Sequence, residues 1–306
     1  MNAYPTPFET DPVTLVSIEA SDTAGLAAFE AVAVAALDND GYEPFNEQTM
    51  FDVRAGKRTG YVVSTGSTSE MGATSGQVVG AAVEGAGEVD LVVAPAVRRR
   101  GYGRAALATV LQYVDGEVTA WSHGDHPGAR GLAAHFHFEK VRTLLELRMP
   151  LGPQPQHPLP EKFVIDTFRP ETDAADWVAL NAHIFAAHPE QGGVTVADLT
   201  DRQAEHWFEA EDFLIARDRG GRMVGYNWLK VEGDVGEIYV LGVHPGTAGA
   251  GLGRALMLAG LKRLSARGCT TASLYVEADS VGPVHLYRSL GFSEHTVDVQ
   301  YRRLPV

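Results

Sequence analysis

The chain has 306 residues, 45% hydrophobic and 21% charged, a balance typical of globular proteins, and its length predicts two domains of about 150 residues each. Asp and Glu outnumber Lys and Arg by 39 to 25, and the net charge of −14 opposes binding to nucleic acid or to an anionic membrane. The single cysteine, Cys269, excludes an internal disulfide and a thiolate cage for zinc.

The N-terminal residues and the hydropathy of the chain bear on its location. No apolar run reaches the roughly 20 residues that a membrane-spanning helix needs. Residues 1–12 are polar and carry acids where a secretory signal would carry bases and then an apolar stretch. We therefore expect a cytoplasmic protein, and we expect a monomer.

The first half of the chain predicts a helix, several strands, and then alternating helices and strands. Ser21 is placed to cap a helix that runs to about Asp38. Residues 65–76 are rich in Ser, Thr and Gly and predict a mobile loop. Period-2 and continuous apolar patterns predict strands near residues 61–64, 78–83 and 88–93.

The second half repeats this order after a proline-rich segment. Residues 151–162 contain four prolines, which favour an extended linker, so we place the domains at residues 1–150 and 163–306. The second half predicts strands at residues 213–217, 223–230, 236–243 and 272–277, and helices at residues 252–267 and 281–290.

A glycine-containing loop occurs twice at constant spacing. It reads V-A-P-A-V-R-R-R-G-Y-G at residues 93–103 and V-H-P-G-T-A-G-A-G-L-G at residues 243–253, 150 residues apart, while Phe138 and Phe292 are 154 residues apart. A strand, such a loop and a helix N-terminus together present backbone N–H groups to a phosphate. One loop alone is equally consistent with a structural turn; two at this spacing favour a repeated phosphate site.

The two loops resemble the acetyl-CoA loop of the GNAT superfamily of N-acetyltransferases, V-x-P-x-x-[RQ]-x-x-G-x-[GA]. The first copy matches in full, whereas the second has Ala248 where the family has Arg or Gln. The family's L-Y-x-x-x-G-F motif occurs at residues 286–292, but the first copy has A-A-H-F-H-F at residues 133–138. The resemblance implies a mixed α/β (α+β) fold of two tandem GNAT domains, with the chemistry in the second and acetyl-CoA binding alone in the first.

Three further stretches resemble one tandem member of this superfamily: H-P-E-Q-G-G at residues 188–193, G-E-I-Y-V-L-G-V at 236–243 and L-Y-V-E at 274–277. That resemblance implies acetyl transfer from acetyl-CoA to the cysteinyl amine of a glucosaminyl-inositol conjugate, a small-molecule acceptor, with no metal. Two alternatives stay open. One is a tandem acetyltransferase for another small amine or a peptide terminus, and the other is a non-catalytic acetyl-CoA-binding regulator.

Acetyl transfer to an amine needs a base, a donor for the tetrahedral oxyanion and a proton for the leaving thiolate. Glu237 lies in an alternating stretch that places it on one face with Tyr239 and Leu241, and is the candidate base; a salt-bridged glutamate is the structural alternative. Tyr287, in the L-Y-x-x-x-G-F motif, is the candidate acid, and a packing tyrosine is the alternative. We take Asp90 as the counterpart of Glu237 in the first copy.

The resemblance also implies two sets of ligand contacts. The acceptor set contains carboxylates, which suit an ammonium group and sugar hydroxyls: Glu47, Glu190, Lys230, Glu237 and Tyr275. The acetyl-CoA set contains strand ends, glycine loops and one helix start: Leu91, Val92, Val93, Arg99, Arg100, Gly101, Tyr102, Gly103 and Arg104 in the first copy, and Leu241, Gly242, Val243, Ala248, Gly249, Ala250, Gly251, Leu252, Gly253, Arg254, Ser280, Val281, Gly282, Pro283, Val284 and His285 in the second.

Two further groups of side chains receive structural assignments. Four histidines of the first copy, His123, His126, His135 and His137, have no acidic partner at ligand spacing, so we predict surface histidines rather than a metal site. Cys269 follows a glycine at a helix end and is predicted to pack as a small apolar residue.

Overall fold

A computed structural model of the chain describes residues 12–19, 21–66, 76–152, 161–186, 191–247 and 249–305. It separates into two compact units, Met1–Leu144 with Thr296–Val306, and Leu145–His295. The predicted boundary at residues 151–162 differs from this division because the strand before the linker is shared between the units. Residues 153–160 of that linker, and residues 67–75 of the predicted mobile loop, lie outside the described residues.

The first unit follows the expected order of helix, strands, helix, strand, helix and strand, with a first strand and a second helix added before the predicted strands. Its elements are β1 (Val13–Ile18), α1 (Thr23–Asp40), α2 (Glu47–Arg54), β2 (Thr59–Thr65), β3 (Val78–Gly85), β4 (Glu88–Val93), α3 (Tyr102–Val110), β5 (Val118–Ser122), α4 (Pro127–His135) and the first part of β6 (Glu139–Pro150), together with most of β12 (Ser293–Arg303).

The sheet of the first unit has the strand order β1-β2-β3-β4-β5-β12. The strand beside β5 therefore comes from the end of the chain, with Val299 opposite Ser122 and Arg303 opposite Val118. Helix α1 begins one residue later than predicted, because Asp22 rather than Ser21 accepts the Gly25 amide at 2.9 Å.

A buried ionic cluster stabilises the first unit. Arg58 donates to Glu88 and to Asp90, both at 2.9 Å, and to the hydroxyl of Thr49 at 3.1 Å. Asp90 is only 2% exposed and Arg58 7%. Because a buried carboxylate without its cation is strongly destabilising, this cluster has to form as a whole.

The second unit repeats the same succession. Its elements are the last part of β6, β7 (Phe163–Thr167), α5 (Pro170–Ile184), α6 (Val196–Gln203), β8 (Phe213–Asp218), β9 (Met223–Glu232), β10 (Val235–Val243), α7 (Leu252–Ala266), β11 (Thr271–Glu277) and α8 (Val281–Ser289). Its sheet order is β6-β11-β10-β9-β8-β7.

Aromatic rings fill the core of the second unit beneath α5. Trp177 packs edge-on against Phe213, Tyr226 and Trp228, each with ring centroids 5.6 Å apart. Edge-to-face pairs of this kind contribute about 0.5–1.5 kcal/mol each beyond their buried area. Cys269 is buried, as predicted. No helix in the described part of the chain is both long and apolar enough to cross a bilayer.

Candidate active site

Strand β10 separates from its parallel neighbour β11 halfway along its length. The two strands pair from Val235 opposite Thr271 to Ile238 opposite Leu274. On its other edge, β10 pairs with β9 but changes register between Ile238 and Val240, so Tyr239 forms a β-bulge. The paired residues of β10 and β11 end at the same point, and we call the region between the two strands beyond residue 238 the slot.

The predicted base lies just before this slot. Glu237 is half-buried and stands opposite Lys230 on β9 and Ser273 on β11. Lys230 is 8% exposed, with its Nζ atom 3.1 Å from Glu232 Oε2 and 5.3 Å from the ring centroid of Trp207. The structure thus brings together two members of the predicted acceptor set.

The remaining acceptor residues have different positions. Tyr275 follows the last residue of β11 that pairs with β10, and it is 48% exposed. Glu47 is the first residue of α2 in the first unit, after the capping residue Asn46. Glu190 lies outside the described residues. Its neighbour Gln191 accepts a hydrogen bond at 2.6 Å from the buried side chain of Asn181.

The glycine loop of the second unit leads into α7 in the geometry expected of an anion site. Gly249 and Gly251 have φ of +76° and +78°, a left-handed conformation that glycine adopts without strain. Gly251 is the N-cap of α7, and it supplies no side-chain hydrogen bond to the first-turn amides. By contrast, the Thr195 side chain caps α6. The first turn of α7 therefore has the geometry of an anion site, with free amides at a positive helix end. Ala248 lies outside the described residues.

Helix α8 has a second uncapped N-terminus and carries the predicted acid. Ser280 makes no side-chain cap, Val281 is 79% exposed, and a Cβ added at Gly282 would meet no atom within 4 Å. Tyr287 is 8% exposed and packs against Phe292, and burial raises its pKa to about 12. Its hydroxyl is therefore protonated at neutral pH, as a proton donor must be.

The loop of the first unit has the same backbone shape. Arg99 and Gly101 have φ of +65° and +91°, and they correspond to Gly249 and Gly251. The Arg98 guanidinium makes two 2.7 Å bonds to Asp40 and donates through Nε to the Val93 carbonyl. This arginine therefore joins the loop to α1, so its replacement by Ala248 removes a structural contact in the second copy.

The counterpart of Glu237 is Glu88, and the assignment to Asp90 is wrong. Glu88 pairs with Thr119 across the parallel ladder, as Glu237 pairs with Ser273, and Thr119 and Ser273 have the same 154-residue spacing as the two phenylalanines. The β3–β4 ladder contains no register shift. The bulge adds one residue to β10, so counting back an equal number of residues from the two glycine loops gives the wrong counterpart of Glu237.

The first unit lacks the pair of groups that the second unit offers for chemistry. Glu88 is bound by Arg58, and the position matching Tyr287 at the 154-residue spacing is Ala133. A cavity nevertheless lies between β4 and β5, with Leu91, Ala133 and Tyr301 in its lining.

His135 and His137 are exposed, as predicted, whereas His123 and His126 make structural contacts. His123 Nδ1 lies 2.9 Å from Asp298, so this side chain is largely buried rather than at the surface as predicted. His126 accepts the Gly128 amide at 3.0 Å and caps α4. Asp298 belongs to β12, which is why the short-range sequence pattern could not reveal the contact.

Comparisons with known proteins agree with this geometry. The model of the acetyltransferase (GNAT) family matches residues 31–138 and 177–292. The mycothiol acetyltransferase of Clavibacter michiganensis subsp. michiganensis is 47% identical, with 87% of each chain covered, and that of Salinispora arenicola is 39% identical, with 96% of this chain and 98% of the relative covered.

Solved structures share the fold. A tandem GNAT protein from the clavulanic acid biosynthesis pathway superposes with a TM-score of 0.73 at 17% identity, covering 96% of this chain and 99% of that one. A GCN5-related N-acetyltransferase from Sphaerobacter thermophilus gives 0.69 at 20% identity, covering 95% of each. The expected fold of two tandem GNAT domains is confirmed, and the chain belongs to the GNAT family of acetyltransferases and, within it, to the mycothiol acetyltransferases.

Proposed function

We propose that the chain transfers acetyl from acetyl-CoA to the cysteinyl amine of 1D-myo-inositol 2-(L-cysteinylamino)-2-deoxy-α-D-glucopyranoside, giving mycothiol and CoA. The observation that carries the proposal is the position of Glu237, directly before the point where β10 leaves β11. The names of relatives at 39–47% identity support the acceptor.

Acetyl-CoA fits the second unit through two features. The uncapped amides of α7, behind Gly249 and Gly251, suit the pyrophosphate. The open edge of β10 leaves room for an extended pantetheine arm to run beside the strand. The start of α8, with its exposed Val281 and the open space at Gly282, would border the same arm.

In the proposed reaction the neutral amine attacks the thioester carbonyl, and the C–S bond of the tetrahedral intermediate then breaks. Glu237 accepts the ammonium proton, directly or through water; α-amines titrate near 8, so no strongly shifted base is needed. A backbone N–H near Leu241 to Val243 would stabilise the oxyanion, a contribution of about 3 kcal/mol. Tyr287 gives its proton to the departing thiolate.

The acceptor would lie on the face of β10 that carries Glu237. Lys230 stands opposite Glu237 on β9, and Tyr275 follows two residues after its partner on β11. Carboxylates there bind an ammonium group and hydroxyls by several hydrogen bonds. Glu47 and Glu190 are proposed as further contacts. The first unit would bind acetyl-CoA without turnover, because Glu88 is paired with Arg58. We also propose that the protein is monomeric and acts in the cytoplasm.

The test is a competition among amines. The inositol conjugate carries its own thiol, so turnover is followed by the loss of thioester absorbance rather than by thiol release. We expect a kcat/KM for the conjugate at least about a hundredfold above that for simple amines or peptide termini. Equal values for all amines would contradict the acceptor assignment and favour a tandem acetyltransferase of other specificity.

Paired variants test the division of roles. Glu237→Gln is expected to lower kcat by about a hundredfold or more, whereas Glu88→Gln, at the matching position of the first unit, is expected to leave it within about threefold. Equal losses would refute the assignment, and retained acetyl-CoA binding without any turnover in the unmodified chain would favour the regulator.

A further inference from the structure

The geometry points to Arg202 and Tyr239 as a pair of positioning residues that hold the β10 bulge in the shape that acetyl transfer requires. The inference rests on the proposed function and extends it, because neither side chain belongs to the predicted ligand sets. Both lie in the second unit.

The bulge interrupts the regular pairing of β10. Ile238 pairs with Leu229 and Val240 with the next residue, Trp228, so Tyr239 is an added residue opposite a continuous stretch of β9. The parallel ladder to β11 ends at Ile238. Because the register of the ladder changes at this residue, its side-chain contacts contribute to the position of its backbone.

Tyr239 has such contacts. Its hydroxyl accepts a 3.1 Å hydrogen bond from Arg202 Nε. Its ring centroid lies 5.1 Å from that of Trp207 and 5.4 Å from that of Trp228, both edge-on. These indoles are 4% and 1% exposed. The two indoles thus fix the orientation of the Tyr239 ring, and the Arg202 guanidinium fixes the position of its hydroxyl.

Arg202 is presented from a well-fixed helix. The side chains and amides of Thr195 and Asp198 form a reciprocal capping box at the start of α6, with distances of 3.2 and 2.9 Å. Leu199 is 1% exposed and fixes the helix to the core. Arg202 also donates through Nη1 to the Asp198 carbonyl at 3.3 Å, which restricts the guanidinium further.

The bulge lies between the groups on which the proposed reaction depends. Glu237 is two residues before Tyr239, and Leu241, whose strand end borders the slot, is two residues after it. A misplacement of about 1 Å between reacting groups costs up to about a hundredfold in rate. The α7 loop, which in the proposed function holds the pyrophosphate, starts further along the chain, at Gly249, so loss of the pair should change kcat much more than CoA affinity.

The test compares Tyr239→Phe, Arg202→Met and the double variant with Arg222→Met. Arg222 is a matched control, since its 3.4 Å ion pair with Asp218 lies at an exposed turn of the same unit. Three quantities are measured: kcat with both substrates saturating, the Kd of CoA by calorimetry, and the amide shift of Leu241 in 15N-leucine-labelled protein. The amide shift needs no turnover and therefore tests the pair separately from the proposed function.

We expect each single variant to lower kcat by about tenfold or more and to change the Kd of CoA by less than about threefold. The Leu241 amide should shift. The double variant should show no larger loss, because both changes remove one interaction. The Arg222→Met control should match the unmodified chain. An unmoved Leu241 amide, additive losses, or a loss of CoA affinity as large as the loss of kcat would overturn the inference. If Arg202→Met does not fold, the conservative Tyr239→Phe decides alone.

Discussion

Gly242 provides a sharp test of how the core of the second unit supports its substrate slot. A Cβ added there would lie 2.6 Å from Tyr226 Cζ and 2.7 Å from its hydroxyl oxygen. Tyr226 is fully buried, packs against Trp177, and donates to Asn181 at 2.7 Å. The ring therefore has nowhere to move without breaking that hydrogen bond.

The expected cost of Gly242→Ala follows from these contacts. Overpacking a filled core costs about 1–3 kcal/mol, and a lost buried hydrogen bond adds about 1 kcal/mol, so unfolding free energy should fall by about 3 kcal/mol. Urea unfolding followed by tryptophan emission measures it, because Trp177, Trp207 and Trp228 all lie in this unit.

Gly282→Ala is the matched control. The new methyl group meets nothing within 4 Å and sits in the first turn of α8. Alanine in place of glycine in a helix stabilises by up to about 1 kcal/mol. A Gly242→Ala midpoint equal to that of the unmodified chain would refute the packing argument, and a loss in the control would show that the assay responds to any added side chain.

Three further outcomes can be checked. Arg58→Met should destabilise the first unit by about 3–5 kcal/mol, since it leaves the buried carboxylate of Asp90 without its cation. The control Arg54→Met, at an exposed ion pair, should cost less than about 1 kcal/mol. Denaturant unfolding measures both free energies. Burial lowers the pKa of His123, but the hydrogen bond and charge of Asp298 outweigh this effect, so the pKa is raised. The stabilisation by this pair is therefore complete below the pKa of the unfolded state and is lost as the pH rises through the pKa of the folded state. Asp298→Asn should remove this pH dependence in thermal unfolding. Tyr287→Phe should lower kcat by about a hundredfold, and because its pKa is about 12, rates for the unmodified chain should show no alkaline decline from this group up to about pH 10.

Local sequence patterns predicted the elements that carry the site. The alternating stretch around Glu237 and the glycine loop before α7 appear at the expected places, since both depend on neighbours in the chain. The resemblance to the GNAT superfamily predicted the tandem fold. The ligand assignments of these residues stay predictions.

Other features depend on contacts between distant segments and left no local signal. The β10 bulge could not be read from composition, and without it Asp90 rather than Glu88 was matched to Glu237. His123 looked like a surface residue because its partner Asp298 is 175 residues away. Arg202 and Tyr239 are 37 residues apart and meet only through packing of α6.

The place of β12 beside β5 has a consequence for biosynthesis. The first unit is translated before the second, yet the strand that covers its β5 edge is translated after the second unit. Until then the nascent unit exposes an open sheet edge, which invites pairing with other chains. A premature stop codon near position 296 would therefore harm the first unit more than the second, and cutting the gene at the linker would separate β12 from β5.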